Sequence, residues 1–491
     1  MKFKKIIITL LTLCLIPTSL VGCKPKENPI TPEKSPVQQD PPVHTHIFLE
    51  LPKEELLVKK DYFEGTTYYK SCSCGEVSTE TFTTSEKPHY TLLGESSEIS
   101  LNDYVEKCTP ETLDDYMKEL ALVMVSTLSE QILGEGTITL KRYNFEYESL
   151  DIDNKPIILS GSFTYPCLDG EIKISSVDFD SHPTFTDKKE SVIKGPDIYS
   201  ILSIVGSLVL EFDLIGFGLT EEMPACYHCR HLSNRNTVDG IIAAYYILKE
   251  LGIDITTYPQ YFTGYSQGGF DSMALLRYYE EESTDNEKTI INPIACFSGS
   301  GAYDLKVMFD ESLQNEEFQY PEYLLMGIIT AKYYHPEIFG EHTIEEFLTD
   351  YGKRFVEPII SKDDAAIQAL KQEIDSNGQS IYKQIGDFFN IEFINNHESP
   401  LREIVDRYCK QEGLLGGEWK PTSNLHIYYS DEDEIVTSKC SHKAEEIFAS
   451  LENVHFTELF DDHRTAAIYY YLCVITEGLL DTYEVIHPID E

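Results

Sequence analysis

Tyr261-Phe262-Thr263-Gly264-Tyr265-Ser266-Gln267-Gly268-Gly269-Phe270 is the stretch on which the reading of this 491-residue chain turns. A short apolar and aromatic run leads into it and has the pattern of a buried strand. Asp271 to Tyr279, with Met273, Ala274, Leu275 and Leu276 among them, has the pattern of a helix packed on that strand. Between the two stands Gly-x-Ser-x-Gly. A serine at so sharp a strand-to-helix turn is held in a strained backbone conformation, and only residues without Cβ fit two positions to either side. The turn lifts the hydroxyl above the sheet edge, and the helix N-terminus behind it favours developing negative charge. Ser266 is the candidate nucleophile.

Around that stretch the composition is ordinary for a large globular protein, 42% hydrophobic and 25% charged, with length for more than one folded unit. Charge is the outlier: 83 acidic against 39 basic residues give a formal net charge of −44. Such a surface repels nucleic acid and no basic patch interrupts it, so nucleic acid is excluded as a partner. Residues 1–22 read as a targeting segment. Lys2, Lys4 and Lys5 precede an apolar run, Ile6 to Ile16, that is too short to span a bilayer. The segment ends in Leu20-Val21-Gly22-Cys23, which resembles the bacterial lipoprotein signal. That resemblance implies cleavage before Cys23, a diacylglyceryl thioether on Cys23, and residence on the extracytoplasmic face of a cell membrane. Two acyl chains are enough for stable anchoring. Losing residues 1–22, with three lysines and no acids, takes the charge from −44 to −47. Residues 23–43, with six prolines among Lys, Glu, Gln and Asp, read as an extended tether.

Residues 44–90 hold His44, His46, Cys72, Cys74 and His89. Thr67 to Gly75 alternates like a strand, and on a strand residues two apart face one way. Cys72 and Cys74 would then share a face, as would His44 and His46, and the four could converge on a tetrahedral zinc. Cys-x-Cys is not the usual zinc spacing, so a plain structural module or a thiol pair stands beside that reading. The stretch also resembles a small module that recurs in surface proteins of Gram-positive bacteria. The remaining cysteines form no dense disulfide framework. Cys226 and Cys229, with His228 and His231 interleaved, read as ordinary thiols ahead of a local disulfide or a second metal site.

From about residue 91 strands and helices alternate: Ile157 to Tyr165, Glu171 to Phe179, Leu208 to Phe212, a helix Asn236 to Leu251, the strand before Ser266, Asn292 to Phe297 and Leu425 to Tyr429. Such alternation predicts a mostly parallel sheet with helices on both faces. Ser160-Gly161 through Tyr165-Pro166, Phe179-Asp180-Ser181-His182-Pro183-Thr184, Asp213-Leu214-Ile215-Gly216-Phe217-Gly218, the Ser266 turn and Gly299-Ser300-Gly301 together resemble the α/β-hydrolase superfamily. Within it they are similar to secretory lipases and related bacterial esterases. The chain departs from that pattern at Ala225-Cys226-Tyr227-His228, where relatives tend to carry His-Pro-Tyr.

The resemblance implies a Ser, acid, His order along the chain. Asp433, in Ser430-Asp431-Glu432-Asp433-Glu434, is the candidate acid, with Asp431 its local competitor and a solvated acidic turn the bland alternative. His463, in Asp461-Asp462-His463-Arg464 just before a helix, is the candidate base in preference to His455 inside the last strand. The oxyanion hole would take the Gln267 N–H and one from the His182-Pro183-Thr184-Phe185 loop. Pro183 has no N–H, which leaves Thr184 or Phe185. Between Asp304 and Asn424 the helical runs Tyr323 to Tyr333, Ile344 to Tyr351, Ala365 to Ile374 and Leu401 to Cys409 predict a cap, about 306–420, over the site. The expectation is a membrane-tethered serine hydrolase of carboxylic esters, acting on a small-molecule, lipid or glycan ester without a catalytic cofactor. The alternatives are a peptidase or amidase on the same fold, a catalytically inactive surface-binding protein, and a protein whose small module does the binding.

Overall fold

In the computed structural model, which describes residues 46–94, 97–108, 125–195, 198–315, 318, 320–374, 377–382 and 385–479, the chain builds two sheets. Cys23, the 23–43 stretch and His44 lie outside the described residues. The first sheet comprises β1 (Phe48–Leu49), β2 (Leu57–Asp61), β3 (Gly65–Cys72) and β4 (Val77–Thr83), with β3 antiparallel to the other three. Lys60 pairs with the Glu148 carboxylate of the second sheet, and Tyr62, just past β2, donates its hydroxyl to the Glu148 carbonyl at 2.8 Å and sets its ring 6.3 Å from that of Tyr90.

The second sheet has eleven strands. They are β5 (Tyr90–Leu92), β6 (Ser97–Ser100), β7 (Ile138–Leu150), β8 (Pro156–Leu168), β9 (Glu171–Ile172), β10 (Ser176–Ser181), β11 (Ser207–Phe212), β12 (Gln260–Tyr265), β13 (Pro293–Gly299), β14 (Asn424–Ser430) and β15 (Val454–Leu459). Their order is β15-β14-β13-β12-β10-β11-β8-β7-β5, with β6 also on β7 and β9 on β8. The strands from β10 onward pair in parallel and the earlier ones antiparallel. From β10 the chain crosses to β11 on one side, and from β12 to β13 on the other. The crevice beyond the carboxyl ends of β10 and β12 is therefore the switch point, where open α/β sheets bind ligands.

Alternation along the strands assigns the core residues to two faces. Phe262, Cys296 and Ile427 pack with Ile241, Met273 and Ala444 of the helices Arg230–Glu250, Gln267–Glu281 and Lys439–Phe448. Tyr261, Phe297 and Tyr428 point the other way, onto Ala466 and Tyr470 of the helix His463–Cys473 and onto Leu202. Both faces are covered, as a parallel sheet requires. The helical cap stands between β13 and β14 and includes the helices Leu305–Gln314, Pro321–Tyr334 and Pro400–Glu412.

Three local expectations are corrected. The sequence pattern did not mark β7, because Lys141, Arg142, Glu146 and Glu148 break its apolar alternation. Arg142 is nevertheless 4% exposed, its guanidinium 3.3 Å from the buried Glu211 carboxylate and hydrogen-bonded to Thr164, Ser162 and Ser200. Glu171 to Phe179 is not one strand. It breaks where the Lys173 N–H turns to the Pro166 carbonyl and the Ser175 N–H to the Gly206 carbonyl. Ile344 to Tyr351 holds only the short 3₁₀ turn Ile344–Phe347.

Candidate active site

Ser266 stands between β12 and the helix Gln267–Glu281 with φ 63° and ψ −119°, a conformation that costs a non-glycine residue about 1–3 kcal/mol. The surroundings hold it there. Its N–H donates to the Gly299 carbonyl at 2.8 Å, and its carbonyl accepts from the Phe270 N–H at 3.2 Å. A Cβ on Gly264 would lie 2.2 Å from the Gly268 oxygen, and one on Gly268 would lie 1.9 Å from the Ser181 oxygen. Gly269, which the motif does not require, is equally constrained: its Cβ would fall 2.1 Å from the Gly299 oxygen.

Asp433 and His463 come together across the ends of β14 and β15. His463 Nδ1 lies 2.6 Å from Asp433 Oδ2, and the other Asp433 oxygen accepts the Ile435 and Val436 N–H groups at 2.9 and 2.8 Å. The Asp433 side chain is 1% exposed. His463 is fixed on two further sides, its N–H to Glu434 Oε2 at 2.9 Å and its carbonyl to the Tyr265 hydroxyl at 2.8 Å. The Tyr265 and His463 rings are 5.0 Å apart, which sets the imidazole beside the residue that precedes Ser266. Tyr470, from the helix that His463 opens, accepts from the Gly264 N–H and donates to the Phe297 carbonyl, both at 2.8 Å. The two competitors lie elsewhere. Asp431 pairs with His442 at 3.2 Å, and His455, exposed on β15, lies tilted against His426 with ring centroids 4.8 Å apart.

On the other side of the serine, β10 runs beside β12 with Ser181 opposite Gly264, and the chain continues into His182-Pro183-Thr184-Phe185. His182 Nδ1 donates to the Pro183 carbonyl at 2.7 Å, and its ring stacks on Phe185 with centroids 4.0 Å apart. Burial holds the His182 imidazole down at about 4, so it is neutral and shapes the loop. Phe185 packs away with Val192 and Phe217, whereas Thr184 lines one cavity with Ser266 and Gln267. Gln267 opens its helix, where N–H groups have no partner within the helix itself.

That cavity measures about 20 Å³, space for about one water. Its far walls are Tyr323, Leu324 and Tyr408 of the cap and Tyr227 and His228 of the loop where the chain departs from the lipase pattern. The loop is stitched to the cap by hydrogen bonds: the Tyr408 hydroxyl donates to the Tyr227 carbonyl at 2.7 Å, and the Tyr334 hydroxyl to the Pro224 carbonyl at 2.6 Å. Sequence reasoning did not single out these tyrosines. Aromatic residues are common throughout this chain, and nothing local sets a pocket wall apart from cap core.

In the small module, His46, Cys72 and Cys74 bring ligand atoms within 4.8 Å of one another, with His46 Nδ1 3.3 Å from Cys74 Sγ. They do not share a strand face as expected. Cys72 is buried at the end of β3 while Cys74 is exposed in the turn that follows, because the chain reverses there through Gly75 at φ 97°.

No family model and no curated protein matches the chain. Solved structures do. A hydrolase candidate from Legionella pneumophila superposes with a TM-score of 0.60 at 15% identity, covering 82% of this chain and 99% of its own. The rice cell wall degrading esterase LipA from Xanthomonas oryzae gives a TM-score of 0.59 at 18% identity, covering 80% and 98%. With the strand order, the switch point and the capped crevice, these likenesses show that the chain has the α/β-hydrolase fold, with a helical cap and a small β-rich module ahead of it.

Proposed function

We propose that the protein is a serine hydrolase of carboxylic esters, and the observation that carries this is the buried, doubly anchored Asp433–His463 pair, its imidazole against Tyr265, the residue before the strained Ser266. In this reading Asp433 accepts a hydrogen bond from the His463 Nδ1–H, which keeps the lone pair on Nε2. Nε2 takes the Ser266 proton as Oγ attacks the acyl carbon, then returns it to the departing alcohol. Water repeats the cycle on the acyl-enzyme. The Gln267 and Thr184 N–H groups bind the oxyanion. Leu305, Met308, Phe309 and Leu324 beside the serine favour an apolar acyl group. The decisive experiment is a panel of p-nitrophenyl esters of graded chain length beside aminoacyl anilides. Ester turnover far above anilide turnover is expected; the reverse ranking would make the protein an amidase or peptidase, and inertness toward both would leave a binding protein.

The functional division that goes with this reading is a leader at 1–22, a tether at 23–43, a module at 44–90 with His44, His46, Cys72 and Cys74 as candidate zinc ligands, and a hydrolase at 91–491. Lipidation of Cys23 would hold the enzyme at a membrane surface. Among the described residues no helix is long and apolar enough to cross a membrane. Cys23→Ala is expected to move the protein from the membrane fraction to the medium or to leave it unprocessed; unchanged membrane association in that variant sinks the anchor.

A further inference from the structure

A second convergence of metal-binding side chains lies under the cap, on the seam between the cap and the 224–231 loop. Cys229 precedes the helix Arg230–Glu250, His335 follows the cap helix Pro321–Tyr334, and Glu412 ends the cap helix Pro400–Glu412. Their exposures are 0%, 3% and 0%, and their ligand atoms lie within 4.8 Å of one another. His335 Nε2 faces both partners, 3.4 Å from Cys229 Sγ and 3.2 Å from Glu412 Oε1. Apart from His335 Nε2, Glu412 Oε1 has no polar partner. A carboxylate so placed needs a cation, which either a protonated His335 or a metal ion among the three side chains supplies.

The spacing fits a tetrahedral zinc. Around a tetrahedral zinc with bonds of about 2.3 Å to sulfur and about 2.0–2.1 Å to nitrogen and oxygen, ligand edges are about 3.5 Å for S···N and about 3.3 Å for N···O. The observed edges are 3.4 and 3.2 Å. Outer partners are also present. The Gln411 side-chain amide lies 3.0 Å from His335 Nδ1, and with its oxygen turned inward it accepts the N–H that a metal-bound imidazole presents there. The remaining Glu412 oxygen accepts the His231 N–H at 3.2 Å. Cys226 is buried against Cys229, thiol to thiol, and the two sulfurs are not joined as a disulfide.

We propose that Cys229, His335 and Glu412 hold a structural zinc ion, with the Cys226 thiol, which lies beside Cys229 but outside the three-residue cluster, turning in to close the fourth position. Binding releases the two thiol protons, and with two thiolates, one carboxylate and a neutral imidazole around the ion the site carries one net negative charge. With every ligand buried there is no open coordination site for substrate, so the ion acts as a staple. It ties two cap helices to the loop whose Tyr227 and His228 wall the pocket.

The test uses the full chain carrying Cys72→Ser and Cys74→Ser, which removes the thiols of the small module. Metal analysis after purification under reducing conditions is expected to find one equivalent of zinc per chain, and less than a tenth when Glu412→Gln and His335→Gln are added. Because those additions could disturb folding, the unaltered cluster is also stripped with chelator and reloaded with cobalt(II). Intense thiolate-to-metal absorption with tetrahedral ligand-field bands is the expected spectrum. A Cys226–Cys229 disulfide in the non-reduced peptide map overturns the proposal. So does less than a tenth of an equivalent of zinc after reconstitution with excess zinc.

Discussion

Ser266→Ala is expected to abolish covalent labelling by a fluorophosphonate and to lower ester hydrolysis by about four to six orders of magnitude. His463→Ala should come close to the same floor, since a serine without its base is a poor nucleophile. Asp433→Asn should cost about 10⁴-fold, because an amide in place of the carboxylate selects the wrong imidazole tautomer. Combining Ser266→Ala with His463→Ala should add little to either alone, the mark of groups that act as a unit. His455→Ala and Asp431→Asn should stay within about tenfold of the parent. Their surroundings say why: the exposed His455 leans on His426, and Asp431 is engaged with His442. Full activity in His463→Ala with collapse in His455→Ala would reassign the base, and labelling that persists in Ser266→Ala would falsify the nucleophile.

Gly268→Ala is expected to be nearly as damaging by another route. The added methyl would sit 1.9 Å from the Ser181 oxygen and 3.1 Å from the His182 oxygen, both backbone atoms of the neighbouring strand end. Neither is the tip of a flexible side chain, so β10 and the start of the helix must part. That parting moves the Gln267 N–H away from the 182–185 loop. We expect a stability loss of about 3 kcal/mol or more in urea unfolding, the range of core overpacking joined to backbone strain. Activity in whatever folds should fall by more than about 10²-fold, since a displacement of about 1 Å at reacting groups costs that much. Gly386→Ala, whose methyl meets nothing within 4 Å, is the control and should stay within about 0.5 kcal/mol of the parent. Equal melting of the two variants would remove the steric account of the elbow.

The distance along the chain over which each constraint acts explains what could be read beforehand. Gly264 was legible because the clash that excludes a Cβ there comes from Gly268, inside one short motif; Gly268, whose own clash is with Ser181 on the neighbouring strand, was legible only because the Gly-x-Ser-x-Gly pattern names it. Gly269 was not, since its constraint comes from Gly299 on the next strand. Parallel strands such as β12 and β13 showed as apolar runs because both their faces are buried. β7 was hidden for the opposite reason, an arginine placed in the interior against Glu211. The acid and base candidates followed from chain order and the strands before them, while their separation of 2.6 Å needed the structure. Cys229 shows the limit most plainly. The histidines within two residues of it in sequence, His228 and His231, drew the eye, yet the imidazole that meets its sulfur is His335, 106 residues away. No local pattern encodes that meeting, because it is made by packing the cap on the sheet.

The space beside Ser266 holds about one water, while a groove of about 410 Å³ beside Asp433 and Glu434 adjoins it at Ile435; under the proposed function an ester group enters the smaller space only if Tyr323, Leu324 and Tyr408 move. Every substrate then meets a pre-equilibrium. If the cap stands open for about one molecule in a hundred, measured affinity is about a hundredfold weaker than the intrinsic fit. Chain-length preferences taken from KM therefore blend pocket complementarity with the cost of parting Tyr323, Leu324 and Tyr408 from the serine. Single-turnover acylation at saturating ester separates the two: the opening step sets a ceiling common to all esters, and differences below it belong to the pocket.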